Sequence, residues 1–144
     1  ISRTRDRGIL VPFWAPQEHI LLHRAVGGFI SHCGWSSVLE SIVSGVPIIA
    51  WPLHSEQDMN ATMLTNNMRI AIRPHIKPTK GLITREEMRE LVKKVTLDKE
   101  GIEMRNKIKE FKACAIKALN EGGSSFNALC EVANHCKMKL PEMA

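Results

Sequence analysis

Residues 14–57 read WAPQEHILLHRAVGGFISHCGWSSVLESIVSGVPIIAWPLHSEQ. Two short apolar runs in this stretch, 28–31 and 47–51, have strand character, and each feeds a segment of helical period. The helical segments are 17–23, with Pro16 where a helix start tolerates proline, then 37–44, then 56–66. Segment 37–44 carries Val38, Leu39, Ile42 and Val43 on one stripe and stops at Gly45. Outward from this stretch, 9–11 and 69–73 read as two further strands. Strands alternating with helices predict an α/β fold with a parallel sheet, helices on both faces and no hairpins. Each strand-to-helix turn then falls at a carboxyl strand end, the edge where open α/β sheets bind ligands.

Beyond a Pro/Lys/Gly loop at 77–81 the chain reads as all helix. Thr84 and Glu87 form a capping-box pattern, followed by the stripe Met88, Leu91, Val92, Val95. A second stripe runs Met104, Ile108, Phe111, Ala115, Leu119 and ends at Gly122-Gly123. Ser124 or Ser125 caps a third, with Phe126, Leu129, Val132 and Ala133. These stripes are read as core faces. The expected organisation is one unit over 1–144 with a helical segment at 84–144.

At 144 residues the chain is long enough for one domain with a real core. It opens on Ile1 and a basic stretch, Arg3, Arg5 and Arg7, and reads as the later part of a larger protein. The net charge of +5 and pI near 9.2 do not imply nucleic acid. The basic residues alternate with acids, as in REEMRELVKK, and no basic-aromatic platform accompanies them. Cys33, Cys114, Cys130 and Cys136 show neither CxxC pairs nor dense spacing, which points to a reducing, cytoplasmic setting. No apolar run approaches a membrane span and no signal peptide is visible.

The turns carry the chemistry. Trp14, between a strand end and a helix, is either a core ring or a stacking plate for a planar base. Gln17 lies one turn on, within reach of a base or ribose. In Ser31-His32-Cys33-Gly34-Trp35-Ser36-Ser37 a strand ends and a helix begins, with Gly34 allowing a tight turn. Unpaired N–H groups, two hydroxyls and an imidazole there make an anion site. Ser37 and Glu40 also match S-x-x-E, so Glu40 is either a structural cap or a bidentate acceptor for a ribose diol. Farther on, Trp51 leads to Ser55-Glu56-Gln57, either an N-cap with an acidic first turn or a carboxylate and amide gripping sugar hydroxyls. His19 and His23 have an i, i+4 metal spacing but no third ligand. Cys33 packs under its turn, and no G-x-G-x-x-G is present.

Taken together, Trp14 to Gln57 resembles the plant secondary product glycosyltransferase box of family 1 UDP-glycosyltransferases, and the remainder resembles the family's C-terminal end. The subgroup acting on phenols, monolignols and hydroquinone is most similar. The resemblance implies the C-terminal, donor-binding part of a two-domain GT-B fold with Rossmann-like sheets. It implies that Trp14 stacks on uracil while Ala15 and Gln17 contact base and ribose. Glu40 would hold the ribose diol; His32, Gly34, Ser36 and Ser37 the diphosphate; Trp35, Trp51, Glu56 and Gln57 the sugar, with glucose as the donor sugar. Ser36 departs from the family's usual Asn, and Glu56 stands where many members carry Asp. The expected partners are a UDP-sugar and a small phenolic acceptor bound mainly by an N-terminal domain. That domain would also hold the general base of an inverting transfer, so no catalytic residue is assigned here. No cofactor or metal is expected. The second reading is an inactive fragment that binds UDP-sugar weakly.

Overall fold

Local chemistry sets the element boundaries. In the computed structural model, which describes residues 7–139, three parallel strands lie in the order β1 (Phe29–Ser31), β2 (Ile48–Ala50), β3 (Ala71–Ile72). Phe29 aligns with Ile48, and Ile48 with Ala71. Central β2 is buried along its whole length, as a strand covered on both faces must be. Its side chains alternate between two cores. Ile48 and Ala50 join Val38 and Ile42 of α2 (Trp35–Ser44), Leu64, and Ile108 of α5 (Lys99–Leu119). Ile49 joins Leu91 and Val95 of α4 (Arg85–Thr96), with Met104 of α5. The expected parallel sheet with helices on both faces is therefore the observed one.

Several boundaries differ from the sequence reading. Residues 9–11 form no strand: no ladder partner reaches them among the described residues, and Ile9 is 93% exposed. Strand β3 is cut to two residues because Arg69 has a left-handed backbone (φ 55°) and Pro74 follows closely. The helix expected over 56–66 is α3 (Gln57–Thr62) running directly into a π-helical turn, Met63–Asn67. There Met68 N–H donates to the Met63 carbonyl, and Thr65 Oγ1 donates back to the Ala61 carbonyl at 2.9 Å. Hydroxyl back-bonding of this kind competes with the regular ladder and widens the turn.

Helix ends follow their capping chemistry. Helix α2 stops where Gly45 turns left-handed (φ 78°) and returns its N–H to the Ser41 and Ile42 carbonyls. Thr84 Oγ1 accepts from Glu87 N–H, as expected of a cap, but the Glu87 carboxylate instead accepts from His75 N–H at 2.8 Å. The largest correction concerns the last helix, α6 (Ser124–Lys139). Its Phe126, Leu129 and Val132 stripe is no core face, with Leu129 66% exposed. Helix α6 packs chiefly on α5, and the apolar interior ends at Ile108, with Phe111 and Ala115 partly buried against it. Arg3 and Arg5 of the basic opening lie outside the described residues. No helix among those described is long and apolar enough to cross a membrane.

Candidate donor cleft

All three parallel strands point their carboxyl ends to one edge, and the candidates at 32–37 and 51–57 lie at the turns after β1 and β2. Short helix α1 (Gln17–Leu22) starts after Pro16 and packs on α2. Between them is an open cleft of ≈ 550 Å³ lined by Trp14, Ala15, Pro16, Gln17, Glu18, His19 and Glu40. The indole of Trp14 is 83% exposed, so it is no core ring. Gln17 Nε2 donates to Glu40 Oε2 at 2.7 Å and to Ser37 Oγ at 3.2 Å. One amide thus ties a carboxylate and a hydroxyl from successive turns of α2 to the floor of the cleft.

Glu40 is not a cap. Helix α2 begins at Trp35, two residues before the expected start, with Gly34 as N-cap and no side chain capping it. Ser37 is already inside the first turn, and the first ladder bond there is Val38 N–H to the Gly34 carbonyl. The N–H groups of Trp35, Ser36 and Ser37 therefore lack intrahelical acceptors, as the opening donors of any helix do. The His32 imidazole lies against Gly34 at this helix start, and His32, Trp35 and Ser36 are exposed.

The reason for Gly34 is also different from the expected one. Its φ of −61° suits any residue. A Cβ there would meet the far end of the exposed His32 imidazole and displace it. The left-handed residue of the turn is Cys33, at φ 66°, a conformation costing a residue with a Cβ about 1–2 kcal/mol. Local bonds hold it there. Cys33 N–H donates to Ser31 Oγ at 3.1 Å, its thiol donates to the Ser31 carbonyl, and its own carbonyl accepts from Asn60 Nδ2 at 2.9 Å. Full burial pushes the Cys33 thiol up, outweighing the backbone hydrogen bond from Trp51 that lowers it. The thiol is a packing group, as its position in the sequence implied.

The β2–α3 loop is built differently. Trp51 N–H donates to the Ser31 carbonyl at 2.7 Å, joining the ends of β1 and β2. Ser55 is not an N-cap; it turns left-handed (φ 55°), and Glu56 takes the cap position without a side-chain bond. Gln57 is 4% exposed, and its Oε1 accepts from both Leu53 N–H at 2.9 Å and His54 N–H at 3.1 Å. Its partner Glu56 is exposed. Trp51, Glu56 and Gln57 do not line the cleft of Trp14 and Glu40; they stand at the neighbouring turn. His23 is the C-cap of α1, its Nδ1 accepting from Ala25 N–H. Asn60 escaped the sequence reading, although a polar residue in register with Gln57, Ala61 and Leu64 on a buried stripe is itself a signal.

A family profile described as UDP-glucoronosyl and UDP-glucosyl transferase matches residues 3–108. Anthocyanidin 3-O-glucosyltransferase 5 of Manihot esculenta is 50% identical over 134 residues, 93% of this chain and 28% of that protein. Hydroquinone glucosyltransferase of Rauvolfia serpentina is 50% identical over 95% of this chain and 28% of its own length. Among solved structures, TcCGT1 in complex with UDP superposes with a TM-score of 0.91 at 48% identity, covering 95% of this chain and 29% of the other. Phytolacca americana UGT2, complexed with UDP-2fluoro-glucose and pterostilbene, gives 0.86 at 46% identity, covering 93% and 30%. The chain thus spans less than a third of the length of these relatives.

Proposed function

This chain belongs to the UDP-glucoronosyl and UDP-glucosyl transferase family, and from that premise we propose that it is the donor-binding part of a two-domain GT-B enzyme. In this reading the enzyme transfers glucose from UDP-glucose to a hydroxyl of a small phenol, with inversion. The observation that carries it is the union of Trp14, Gln17 and Glu40 in one cleft beside an uncapped helix start. The exposed indole stacks on uracil, a contact worth ~1–3 kcal/mol per base. The carboxylate of Glu40, freed from capping, accepts from the ribose diol, and the Gln17 amide orients it.

The diphosphate lies against the N–H groups of Trp35, Ser36 and Ser37, with the Ser36 hydroxyl and the His32 imidazole beside them. As the glycosidic bond breaks, negative charge grows on the leaving phosphate, and donors already aimed there stabilise it without reorganising. These donors and the α2 dipole meet the charge in place of a metal ion. Trp35, Trp51 and Glu56 flank the sugar, with Gln57 holding the loop that presents Glu56. The acceptor and its general base are met by residues outside this chain. The chain alone is therefore a binder of UDP-sugar and not a turnover catalyst.

Turnover of hydroquinone by the full-length protein carrying this sequence, compared across UDP-glucose, UDP-galactose and UDP-xylose, tests the reading. A preference for UDP-glucose with a product of inverted anomeric configuration is expected. A galactose preference removes the sugar assignment, and failure to bind UDP removes the donor cleft itself.

A further inference from the structure

Asn60 Nδ2 donates to the Cys33 carbonyl at 2.9 Å across 27 residues of sequence, from a side chain that is 6% exposed. Two other bonds of Cys33 go to Ser31, two residues away, and move with the turn, while the backbone of Trp51 reaches only the thiol. Among the described residues, Asn60 is the side chain that ties the Cys33 backbone to a separate helix, and α3 holds it firmly: its own N–H donates to the Glu56 carbonyl, while Gln57 closes the loop ahead of it. The Cys33–Gly34 peptide is trans and planar, so its carbonyl and its N–H point in opposite directions. Drawing the Cys33 carbonyl inward to Asn60 therefore aims the Gly34 N–H outward, toward the side of His32 and the free N–H groups of α2.

We propose that Asn60 is a positioning residue for the donor diphosphate, holding the Cys33–Gly34 peptide in the orientation that presents Gly34 N–H to a phosphate oxygen. The inference rests on the donor-cleft reading above. Without the amide donor, this peptide is free to rotate, and the row of N–H groups loses its first member. The base and ribose contacts of Trp14, Gln17 and Glu40 are untouched.

The test compares UDP with uridine, titrated into full-length protein carrying Asn60→Asp, which keeps the shape but removes the N–H donor. Asn60→Ala is run in parallel, with melting curves for both. The expected result is about a tenfold loss of UDP affinity with uridine affinity unchanged, and a raised KM for UDP-glucose at constant acceptor KM. A proportionate loss for both ligands, or variants that fail to fold, overturns the proposal by making Asn60 purely structural. Unchanged UDP affinity overturns it too, while Glu40→Ala, if it still weakens UDP, leaves the donor cleft standing. If the unmodified protein binds neither ligand, cleft and positioning role fall together.

Discussion

Two strand-to-helix turns stand side by side at the carboxyl edge of the sheet, and they solve the same problem in opposite ways. Each reverses the chain with a left-handed residue that has a side chain, Cys33 in one and Ser55 in the other. In the β1–α2 turn that strain is held by Ser31 from within and Asn60 from α3, and the first N–H groups of α2 keep no internal acceptor. In the β2–α3 turn Gln57 folds back and satisfies the loop's own Leu53 and His54 N–H groups. In the proposed function the first is the seat for the diphosphate; the second is a closed loop holding up one exposed carboxylate, Glu56. Both helices start without a side-chain cap, so what differs between the turns is the loop ahead of the helix, whose backbone donors Gln57 satisfies only in the second.

Four substitutions and one chemical treatment can break or sharpen this contrast. Glu40→Ala has the largest expected effect on binding: losing a charge-assisted acceptor of ~1.5–3 kcal/mol lowers UDP affinity by roughly ten- to a hundredfold, read by calorimetry. Glu56→Ala should leave UDP affinity where it was, and equal losses from the two would erase the distinction between the turns. Gln57→Ala leaves the Leu53 and His54 N–H groups without their acceptor. It should lower stability by about 1–3 kcal/mol in a denaturant melt, and an unchanged midpoint with altered sugar preference would mean that this turn also opens to ligand.

Smaller effects are expected at the first turn. Gly34→Ala forces the His32 imidazole aside, so UDP affinity should fall by about 1 kcal/mol, in the range of one ordinary hydrogen bond, while uridine affinity holds. Alkylation is the mildest probe. Because burial raises the Cys33 thiol, less of it is thiolate at any given pH below its titration, and it should react far more slowly than the exposed Cys114, Cys130 and Cys136. Rapid labelling of all four sites would show that the turn opens in solution.

The sheet and α2 were legible because their signals are local: β-rich runs between helical periods, and Gly45 as a stop. The segment 9–11 misled because an apolar run reports only that a strand could form there, and pairing depends on a neighbour. The α6 stripe misled in the same way, since periodicity defines a face but not what covers it. In the cleft, Trp14 and Glu40 were visible as alternatives; exposure removed the core reading of Trp14, and two residues of helix register removed the cap reading of Glu40. With α2 starting at Trp35 instead of Ser37, the Glu40 carboxylate makes no capping bond and accepts from Gln17 instead. Asn60 could not be read as a partner of Cys33, because the contact spans two helices and a strand.

The π turn after α3 has a bearing on how this fold tolerates changes of length. A π-helical turn holds one residue more than the α-helical turn it replaces, so Met63–Asn67 contains a spare residue. Deleting one there lets the ladder close up as regular α-helix while β3 keeps its place. The same deletion within α2 would swing Glu40 by about 100° around the axis and part it from Gln17. Insertions and deletions should accordingly be absorbed on one side of Asn60 and be ruinous on the other.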